Sequence, residues 1–467
     1  MTADAPSSSF VASCPSRRAP LRAAIAGYVW GVVLAAASVP NAAGQTPAPA
    51  LSQDEVDLQG RLNILLGSGA RALGMGGAFL ARPDDATAAS WNPAGLSYLL
   101  RPEVTAVWMQ NRITIDSTST SDPIPDTSHF RGRQLDFGAV TFPLHSISGA
   151  AQLSYQRVIP FAGTRTIASS EKVAHLDASG GFDVLALGTG WRVTPTLRVG
   201  ATLNHWMNGF HQVNNLNRTD PARRDTVLDA TFGFRGWNTN LGVIWSPIEN
   251  LNIGAVVKTP FTGRVHLAKK RRDSYPADAT GTVLFTTNES DRNDLRLDFP
   301  SAFGAGASWR VASALTVSAD YTHTNWSHAL IHNFYVLSVT PQPPPGTPQQ
   351  PPAPQVFDSL KYPLLDPSQN DAQQIRMGAE YVFIHKRLKF PLRAGYIFDQ
   401  QFFQAQGGHA PVFGALTLGT GILAGPVLLD FAYVRELGKF TDTDKAPTRQ
   451  MTYRIVASAI YRLGSVH

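Results

Sequence analysis

The sequence contains one cysteine, few charged residues and, after residue 40, no long apolar run. Charged residues make up 16% of its 467 residues, whereas ordinary soluble domains carry about 25%. No apolar run beyond residue 40 approaches the roughly 20 residues that a membrane helix needs, so a polytopic helical membrane protein is excluded. With 10% aromatic residues, 39 Gly and 33 Pro, the composition favours a chain made of many strands.

The first part of the chain has the features of an export signal. Basic residues precede the apolar stretch 23–39, and small residues follow it. We therefore predict a signal peptide over residues 1–44 and a flexible, Pro- and Ala-rich leader over residues 45–57. Removal of the signal would also remove Cys14, leaving no thiol for disulfides, nucleophilic catalysis or thiolate metal sites.

Charge and motif spacing indicate neither an enzyme nor a nucleic-acid-binding protein. The formal net charge of +6 is modest for a chain of this length. Residues 62–73 contain the G-x-G-x-x-A spacing of a dinucleotide-binding turn, but no alternation of strands and helices follows it. No nucleophile, base and orienting group stand out together, and the histidines lack dense metal-ligand spacing. We predict no metal, no cofactor, no nucleic acid and no catalytic activity.

From Glu103 onward, apolar residues alternate with polar or small ones at period two, which is typical of strands with two different faces. Fourteen segments of about 10 to 16 residues follow this pattern, a length that suits tilted membrane strands. They lie at approximately 104–115, 133–142, 147–159, 182–194, 196–210, 237–247, 251–266, 295–310, 314–326, 374–384, 390–400, 413–424, 426–436 and 450–463. Their connections are alternately long and short, which predicts a barrel with tight turns at one rim. With those turns in the periplasm, both termini are periplasmic.

Alternation also assigns the two faces of each strand. In Ser301–Arg310, lipid should cover Phe303 and Trp309, whereas Gly304 and Ser308 should face the lumen. Because Arg or Lys on the lipid face near the bilayer midplane costs about 2–4 kcal/mol, charged strand residues are expected to face the lumen. By this parity the lumen holds Asp320, Arg376, Glu380, Arg393 and Asp430. Two interpretations of these charged residues stay open. In the first they form a salt-bridge ladder that anchors a plug, and in the second one of the cations is the group that binds the carboxylate head group of a ligand.

Two further features concern the membrane surface. Aromatic residues near strand ends predict girdles at the two interfaces: Trp191, Trp206, Trp237, Trp245, Trp309, Trp326 and Tyr461. The basic run Lys269–Arg272 is expected to lie in a solvated outer loop, within reach of lipopolysaccharide phosphates.

A glycine-rich segment, Arg71–Leu96, precedes the alternating strands and reads RALGMGGAFLARPDDATAASWNPAGL. It resembles the N-terminal hatch of the outer-membrane long-chain fatty-acid transporter family, which includes FadL-like and TodX-like hydrocarbon channels. Shorter matches, such as Lys258–Phe261 and Arg376–Tyr381, extend the resemblance over nearly the whole mature chain. The hatch residues that carry it are Gly74, Gly76, Gly77, Asn92, Pro93, Ala94 and Gly95.

The resemblance implies an all-β, antiparallel outer-membrane β-barrel of about 14 strands, with a hatch at residues 58–100 and a transmembrane barrel at residues 101–467. It implies a monomeric channel for long-chain fatty acids or other hydrophobic small molecules, which bind in the lumen and leave when the hatch rearranges. A nearly identical hatch motif occurs in PorV-like barrels, which serve type IX secretion. Protein secretion or surface attachment is therefore the alternative function.

Overall fold

The structure is a computed structural model that describes residues 67–118, 126–161, 163–168, 172–218, 225–275, 285–328, 330–332, 362–363, 370–441 and 447–464. The predicted signal peptide and leader, residues 1–44 and 45–57, lie outside these residues, as does the predicted start of the hatch at residues 58–66. No helix in the described part of the chain is long and apolar enough to cross a membrane.

Short helices come first and strands follow. The helices are α1 (Ala70–Gly74), α2 (Ala88–Trp91) and the 3-10 helices Pro93–Tyr98, His145–Ile147 and Trp326–His328. The strand segments are β1 (Glu103–Ser117), β2 (Asp126–Leu144), β3 (Gly149–Pro160), β4 (Gly163–Ala168), β5 (Lys172–Arg192), β6 (Leu197–Arg218), β7 (Asp225–Ile248), β8 (Leu251–Lys258), β9 (Phe261–Tyr275), β10 (Phe285–Phe299), β11 (Ala302–Arg310), β12 (Leu315–Thr324), β13 (Leu330–His332), β14 (Tyr362–Pro363), β15 (Ala372–His385), β16 (Leu388–Gln400), β17 (Val412–Ala424), β18 (Val427–Thr441) and β19 (Pro447–Arg462).

These segments form one closed antiparallel sheet. Strand β1 pairs with β2 on one side and with β19 on the other, from Glu103 opposite Arg462 to Ser117 opposite Thr448. Five barrel strands are interrupted and consist of two segments each, namely β3/β4, β8/β9, β10/β11, β12/β13 and β14/β15. The wall therefore has fourteen strands, and the predicted fourteen-strand antiparallel barrel is confirmed.

The outer face of the wall is mainly apolar, whereas polar side chains, together with buried apolar clusters, face the lumen, as expected when lipid covers the outer face. Phe303 and Trp309 are exposed on the outer face, and Ser308 is buried toward the lumen, which confirms the assignment of faces in this strand. The girdle prediction is wrong for Trp206 and Trp326, which are 7% and 3% exposed. Trp206 shares its face of β6 with buried Asn204, so strand parity directs it into the lumen.

Short turns join the strands at one end of the barrel, which we call the turn end; the opposite end is the loop end. Strands β5, β6 and β7 continue well beyond the predicted segments toward the loop end, to lengths of 21, 22 and 24 residues. On the outer face, these extensions carry polar residues where the membrane part carries apolar ones. The alternation of apolar and polar residues is therefore lost in the extensions, although the hydrogen bonds between the strands continue. For the same reason Lys269–Arg272 lies within β9, and its placement in a loop is wrong.

Candidate functional site

Residues 67–100 lie inside the barrel, and we call them the hatch segment. Their polar groups bond to strands around the closed ring. The backbone N–H of Ala70 donates to Oγ of Ser458 on β19 (2.7 Å), and the side chain of Asn92 donates to the carbonyl of Val243 on β7 (3.1 Å). Because the ring of strands is closed, a segment bonded to inward faces on opposite walls occupies the lumen.

Glycine allows the hatch segment to lie directly on the wall at Gly76, where φ is +66°. A Cβ at this position would lie 2.5 Å from the carbonyl oxygen of Met377 and 2.9 Å from the backbone nitrogen of Tyr396. The wall also needs glycine at this contact, since a Cβ on Gly395 would lie 2.3 Å from the backbone nitrogen of Gly76. The backbones of the hatch segment, β15 and β16 therefore meet with no side chain between them.

The neighbouring glycines of the predicted motif lie in the same contact. Oγ1 of Thr417 accepts from the N–H of Gly76 (2.9 Å) and donates to the carbonyl of Gly74 (3.1 Å). Gly77, also at positive φ (+71°), lies beside the Arg376 side chain. One threonine hydroxyl on β17 thus satisfies two hatch backbone groups that water cannot reach.

The Asn92-Pro93-Ala94-Gly95 motif forms the second anchor. The Nδ2 atom of Asn92 donates to the carbonyls of Leu80 (2.8 Å) and Val243 (3.1 Å), and its Oδ1 accepts from the N–H of Ala94 (3.1 Å). Pro93, which has no N–H to leave unpaired, begins the 3-10 helix. Gly95 packs against the carbonyl of Pro83. The side chain of Asn92 therefore both caps this helix and bonds it to β7.

A buried charge cluster joins the hatch segment to β15, β16 and β18. Glu380 contacts Nε of Arg393 (2.8 Å) and Nε of Arg71 (3.2 Å), and Nη1 of Arg393 contacts Asp430 (2.6 Å). Nη1 of Arg71 also reaches Oδ1 of Asp84 within the hatch segment at 2.7 Å. Nearly all of these groups are buried, so removing one partner would leave an unpaired charge away from water.

The hatch charges are held in their ionised forms. Burial by itself would lower the pKa of Arg71, but the carboxylates of Asp84 and Glu380 outweigh burial and keep this pKa well above its usual value. Burial would raise the pKa of Asp84, but the guanidinium groups of Arg71 and Arg82 outweigh it and lower this pKa. Arg71 and Asp84 therefore stay charged at neutral pH.

Two of the predicted lumen residues stand apart from this cluster. Oδ2 of Asp320 accepts from the backbone N–H groups of Phe79 (2.6 Å) and Leu80 (2.8 Å). The guanidinium of Arg376 lies 5.7 Å from the ring centroid of Trp91 and donates to Gln374. The charge cluster, Asp320 and Arg376 thus meet the hatch segment at three separate places rather than forming one continuous ladder.

An aromatic chamber lies between the hatch segment and the loop end. Its cavity of about 100 Å³ has Ala89 and Ser90 of the hatch segment as its floor. Its aromatic walls come from Trp206, Phe261, Phe299, Trp326 and Phe402. Trp326 stacks on Phe402 at 4.8 Å, and Phe261 stacks on Phe299 at 5.0 Å between ring centroids. These rings belong to an apolar cluster that continues toward the loop end through Phe182, Phe210, Phe232 and Phe234.

One side of the chamber is polar. Oδ1 of Asn238 accepts from Nε1 of Trp206 (2.8 Å) and from Nδ2 of Asn204 (3.1 Å), and its Nδ2 donates to Asn240 (3.3 Å). Lys258, Gln374, Asp399 and Gln401 also line the cavity. The chamber therefore offers an apolar pocket with a small number of polar groups, which is the usual composition of a site for a small organic molecule.

Sequence reasoning missed the aromatic chamber and the hatch charges. The chamber rings come from separate strands, and no local pattern distinguishes an inward Phe from an outward one unless parity is followed through each strand. The charges did leave a signal, since Arg71, Arg82, Asp84 and Asp85 occur in a segment predicted to lie inside a barrel. Charged groups in such a place need partners, and Glu380 was one of the carboxylates already predicted to face the lumen.

The family follows from comparison with known proteins. Residues 69–339, more than half of the chain, match the family described as BamG. The chain belongs to the BamG family. A search of curated proteins gives no match for this BamG-family chain.

Solved structures with the same fold include two toluene transporters and a FadL homologue. The toluene transporter TbuX of Ralstonia pickettii is 16% identical, with a TM-score of 0.55 over 86% of this chain and 99% of that chain. A FadL homologue of Pseudomonas aeruginosa is 13% identical, with a TM-score of 0.59 over 86% and 99%. The toluene transporter TodX of P. putida is 15% identical, with a TM-score of 0.59 over 86% and 100%. At these identities the BamG-family barrel shares a fold with the FadL-like and TodX-like channels.

Proposed function

We propose that this barrel lies in the outer membrane of a Gram-negative-type bacterium and admits hydrophobic small molecules, which bind in the aromatic chamber. The chamber carries the proposal, because it combines stacked rings, a polar side and a floor made of the hatch segment. The charged sugar layer of an outer membrane slows apolar molecules, whereas burial in a pocket recovers roughly 0.8 kcal/mol per methylene. The turn end and both termini then face the periplasm.

Chamber size supports compact ligands. An engineered apolar cavity of about 150 Å³ in another protein holds benzene. The chamber, at about 100 Å³, therefore limits the enclosed part of a ligand to about one ring or a short alkyl segment. A long-chain fatty acid would have to extend from the chamber toward the loop end, along the remaining rings of the apolar cluster. The names of TodX and TbuX as toluene transporters are consistent with a one-ring ligand.

Passage beyond the chamber requires the hatch segment to move or the wall to open. We propose that ligand binding against Ala89 and Ser90 loosens the hatch segment. A lateral route to the bilayer is supported at β3, where the ladder to β5 shifts between Arg157 and Ile159. Val158, beside this irregularity, lines the chamber.

Equilibrium dialysis of labelled toluene and of oleate against the detergent-purified barrel tests the ligand class. Heat-modifiable gel mobility first establishes that the barrel is folded. Saturable binding of toluene, with competition by other one-ring hydrocarbons, is the expected result. A folded barrel without saturable affinity for either molecule would contradict the proposal and would favour the PorV-like alternative, which copurification of partner proteins would then examine.

A separate experiment tests hatch movement. Ala70→Cys with Ser458→Cys, in a Cys14→Ser background, places two thiols where the hatch segment bonds to β19. Oxidation should block toluene uptake into vesicles, and reduction should restore it, while binding in detergent stays unchanged. Uptake that continues at the same rate after complete crosslinking would disprove movement at this anchor. It would not contradict the proposal that the chamber binds the ligand.

A further inference from the structure

Four arginines lie close together on the outer face of the wall, around the β1–β19 closure. Arg112 of β1 is directly opposite Arg131 of β2, and Arg133 is two residues further along β2. On its other side Arg112 is opposite Tyr453 of β19, which is itself opposite Arg435 of β18. We call Arg112, Arg131, Arg133 and Arg435 the arginine row.

All four side chains are exposed. Arg112 shares its strand face with Trp108, an exposed residue of the apolar band, so it points away from the lumen. In the described part of the chain, no carboxylate forms an ion pair with any arginine of the row. The outward-facing carboxylate of β1, Asp116, is four residues from Arg112 and opposite Arg449.

This arrangement is unfavourable on its own. Like charges directly opposite each other in an antiparallel ladder destabilise the sheet, and Arg112 and Arg131 occupy such a pair. A guanidinium binds phosphate oxygens with two parallel hydrogen bonds, so an anion between two arginines replaces their repulsion by two attractions. The row therefore has the chemistry of a phosphate site.

The arginine row also lies just beyond the apolar band on the loop-end side, where a lipid head group would be. Along β1 the exposed apolar residues Val104 and Trp108 come first, and Gln110 and Arg112 follow toward the loop end. A surface depression beside Arg112 is lined by Tyr433 and Tyr453, whose ring centroids are 6.5 Å apart. Tyrosines are enriched at membrane interfaces, where the apolar band ends and head groups begin.

We propose that the arginine row binds the phosphate groups of a lipid in the leaflet on the loop-end side of the membrane. The acyl chains of this lipid would lie along the apolar band below, beside Trp108. The ligand class is a phosphorylated lipid, recognised by its phosphates and held in register by its chains. This proposal rests on the membrane placement of the barrel and is independent of what the chamber binds.

The test compares Arg131→Glu with Arg310→Glu. The second variant makes the same charge change at an exposed position near the turn end. The probe is a lipid A that carries two phosphates, and the same lipid after phosphatase treatment is its control. Native mass spectrometry of the folded barrel in neutral detergent measures the lipid bound, and thermal unfolding measures stability with and without lipid.

The expected result has two parts. Arg131→Glu weakens binding of the phosphorylated lipid roughly tenfold or more, and it raises the unfolding temperature of the lipid-free barrel, because it places a carboxylate opposite Arg112. Arg310→Glu changes neither quantity. The neutral variant Arg112→Gln with Arg131→Gln should lose the lipid as well, which covers the case that the charge reversal does not fold.

Three results would overturn the proposal. Equal binding of the phosphorylated and dephosphorylated lipids would mean that the phosphates are not recognised. Equal stabilisation by inorganic phosphate alone would identify a free-phosphate site instead of a lipid site. A lower unfolding temperature for Arg131→Glu with lipid binding unchanged would mean that the row only supports the wall. Toluene binding in all variants should match the unmodified barrel, so this test and that of the chamber remain distinguishable.

Discussion

Arg393 and Glu380 face each other across the β15–β16 ladder, with Nε of Arg393 2.8 Å from Oε2 of Glu380. The same carboxylate contacts Arg71 of the hatch segment. One glutamate therefore links two neighbouring wall strands to the residues that fill the lumen. Its position makes the arginine from the hatch segment the most informative residue to remove.

We expect Arg71→Ala to loosen the hatch segment. The substitution leaves Glu380 and Asp84 buried with fewer cationic partners, and breaking a buried ion pair costs about 3–5 kcal/mol. The conductance of the barrel in planar lipid bilayers should increase, and its unfolding temperature should fall. Arg310→Ala, which removes an exposed arginine, serves as the control. Unchanged conductance and stability in Arg71→Ala would show that the cluster does not hold the hatch segment.

We expect the closed state to tolerate mild acid. The pKa of Asp84 lies below its ordinary value of 3.8, so its stabilising contribution is present above that value and is lost as pH falls through the lowered pKa. Bilayer conductance should therefore stay low from about pH 7 to about pH 5 and rise only below about pH 3.8. Opening between pH 5 and 6 would contradict this assignment.

We expect Asn92→Asp to release the second anchor although it changes little in shape. The replacement substitutes an acceptor for the Nδ2 donor that faces the carbonyls of Leu80 and Val243. Each buried polar group left unsatisfied costs about 1–3 kcal/mol. Limited proteolysis of the folded barrel should then cut within residues 67–100. Asn250→Asp, at an exposed turn position, should leave the cleavage pattern unchanged; equal resistance of both variants would count against the anchor.

Two phenylalanines of one barrel strand lie on opposite sides of the wall, one in the chamber and one on the lipid face. Phe299 is 5% exposed and lines the chamber, whereas Phe303 is 47% exposed on the outer wall. Phe299→Ala should weaken toluene binding roughly tenfold, because an anchor ring in a desolvated pocket contributes more than 1 kcal/mol. Phe303→Ala should bind as the unmodified barrel does. Equal affinities of the two variants would exclude the chamber as the ligand site.

Period-two alternation was sufficient to predict the membrane part of the wall. Apolar residues must face lipid at every second position, so each membrane strand carries its own signal, and parity alone placed Glu380 and Arg393 as inward-facing neighbours. The outer faces of the extensions of β5, β6 and β7 carry no such signal, because beyond the membrane they face water instead of lipid. There the ladder is maintained by backbone hydrogen bonds, which sequence periodicity does not reveal.

The candidate site was harder to predict because it is assembled from distant positions. The hatch motif identified Asn92 and Gly76 as special residues. Their partners Val243 and Gly395 lie in regular strands, and nothing in the sequence linked either of them to its hatch residue. Trp206 was assigned to a girdle from its position near a strand end, and its parity with Asn204 would have corrected that. Pairing register across the whole barrel is needed before such partners can be named.

The close fit of the hatch segment against glycine backbones has a consequence for the order of assembly. A Cβ on Gly395 has no room beside Gly76, so residues 67–100 and the wall fit together backbone against backbone. We therefore expect the β1–β19 seam to form last, around a hatch segment that is already bound to the other strands. In refolding experiments, a cysteine pair at Ala106 and Ala459, which are opposite each other in the seam, should crosslink later than the pair at Ala70 and Ser458.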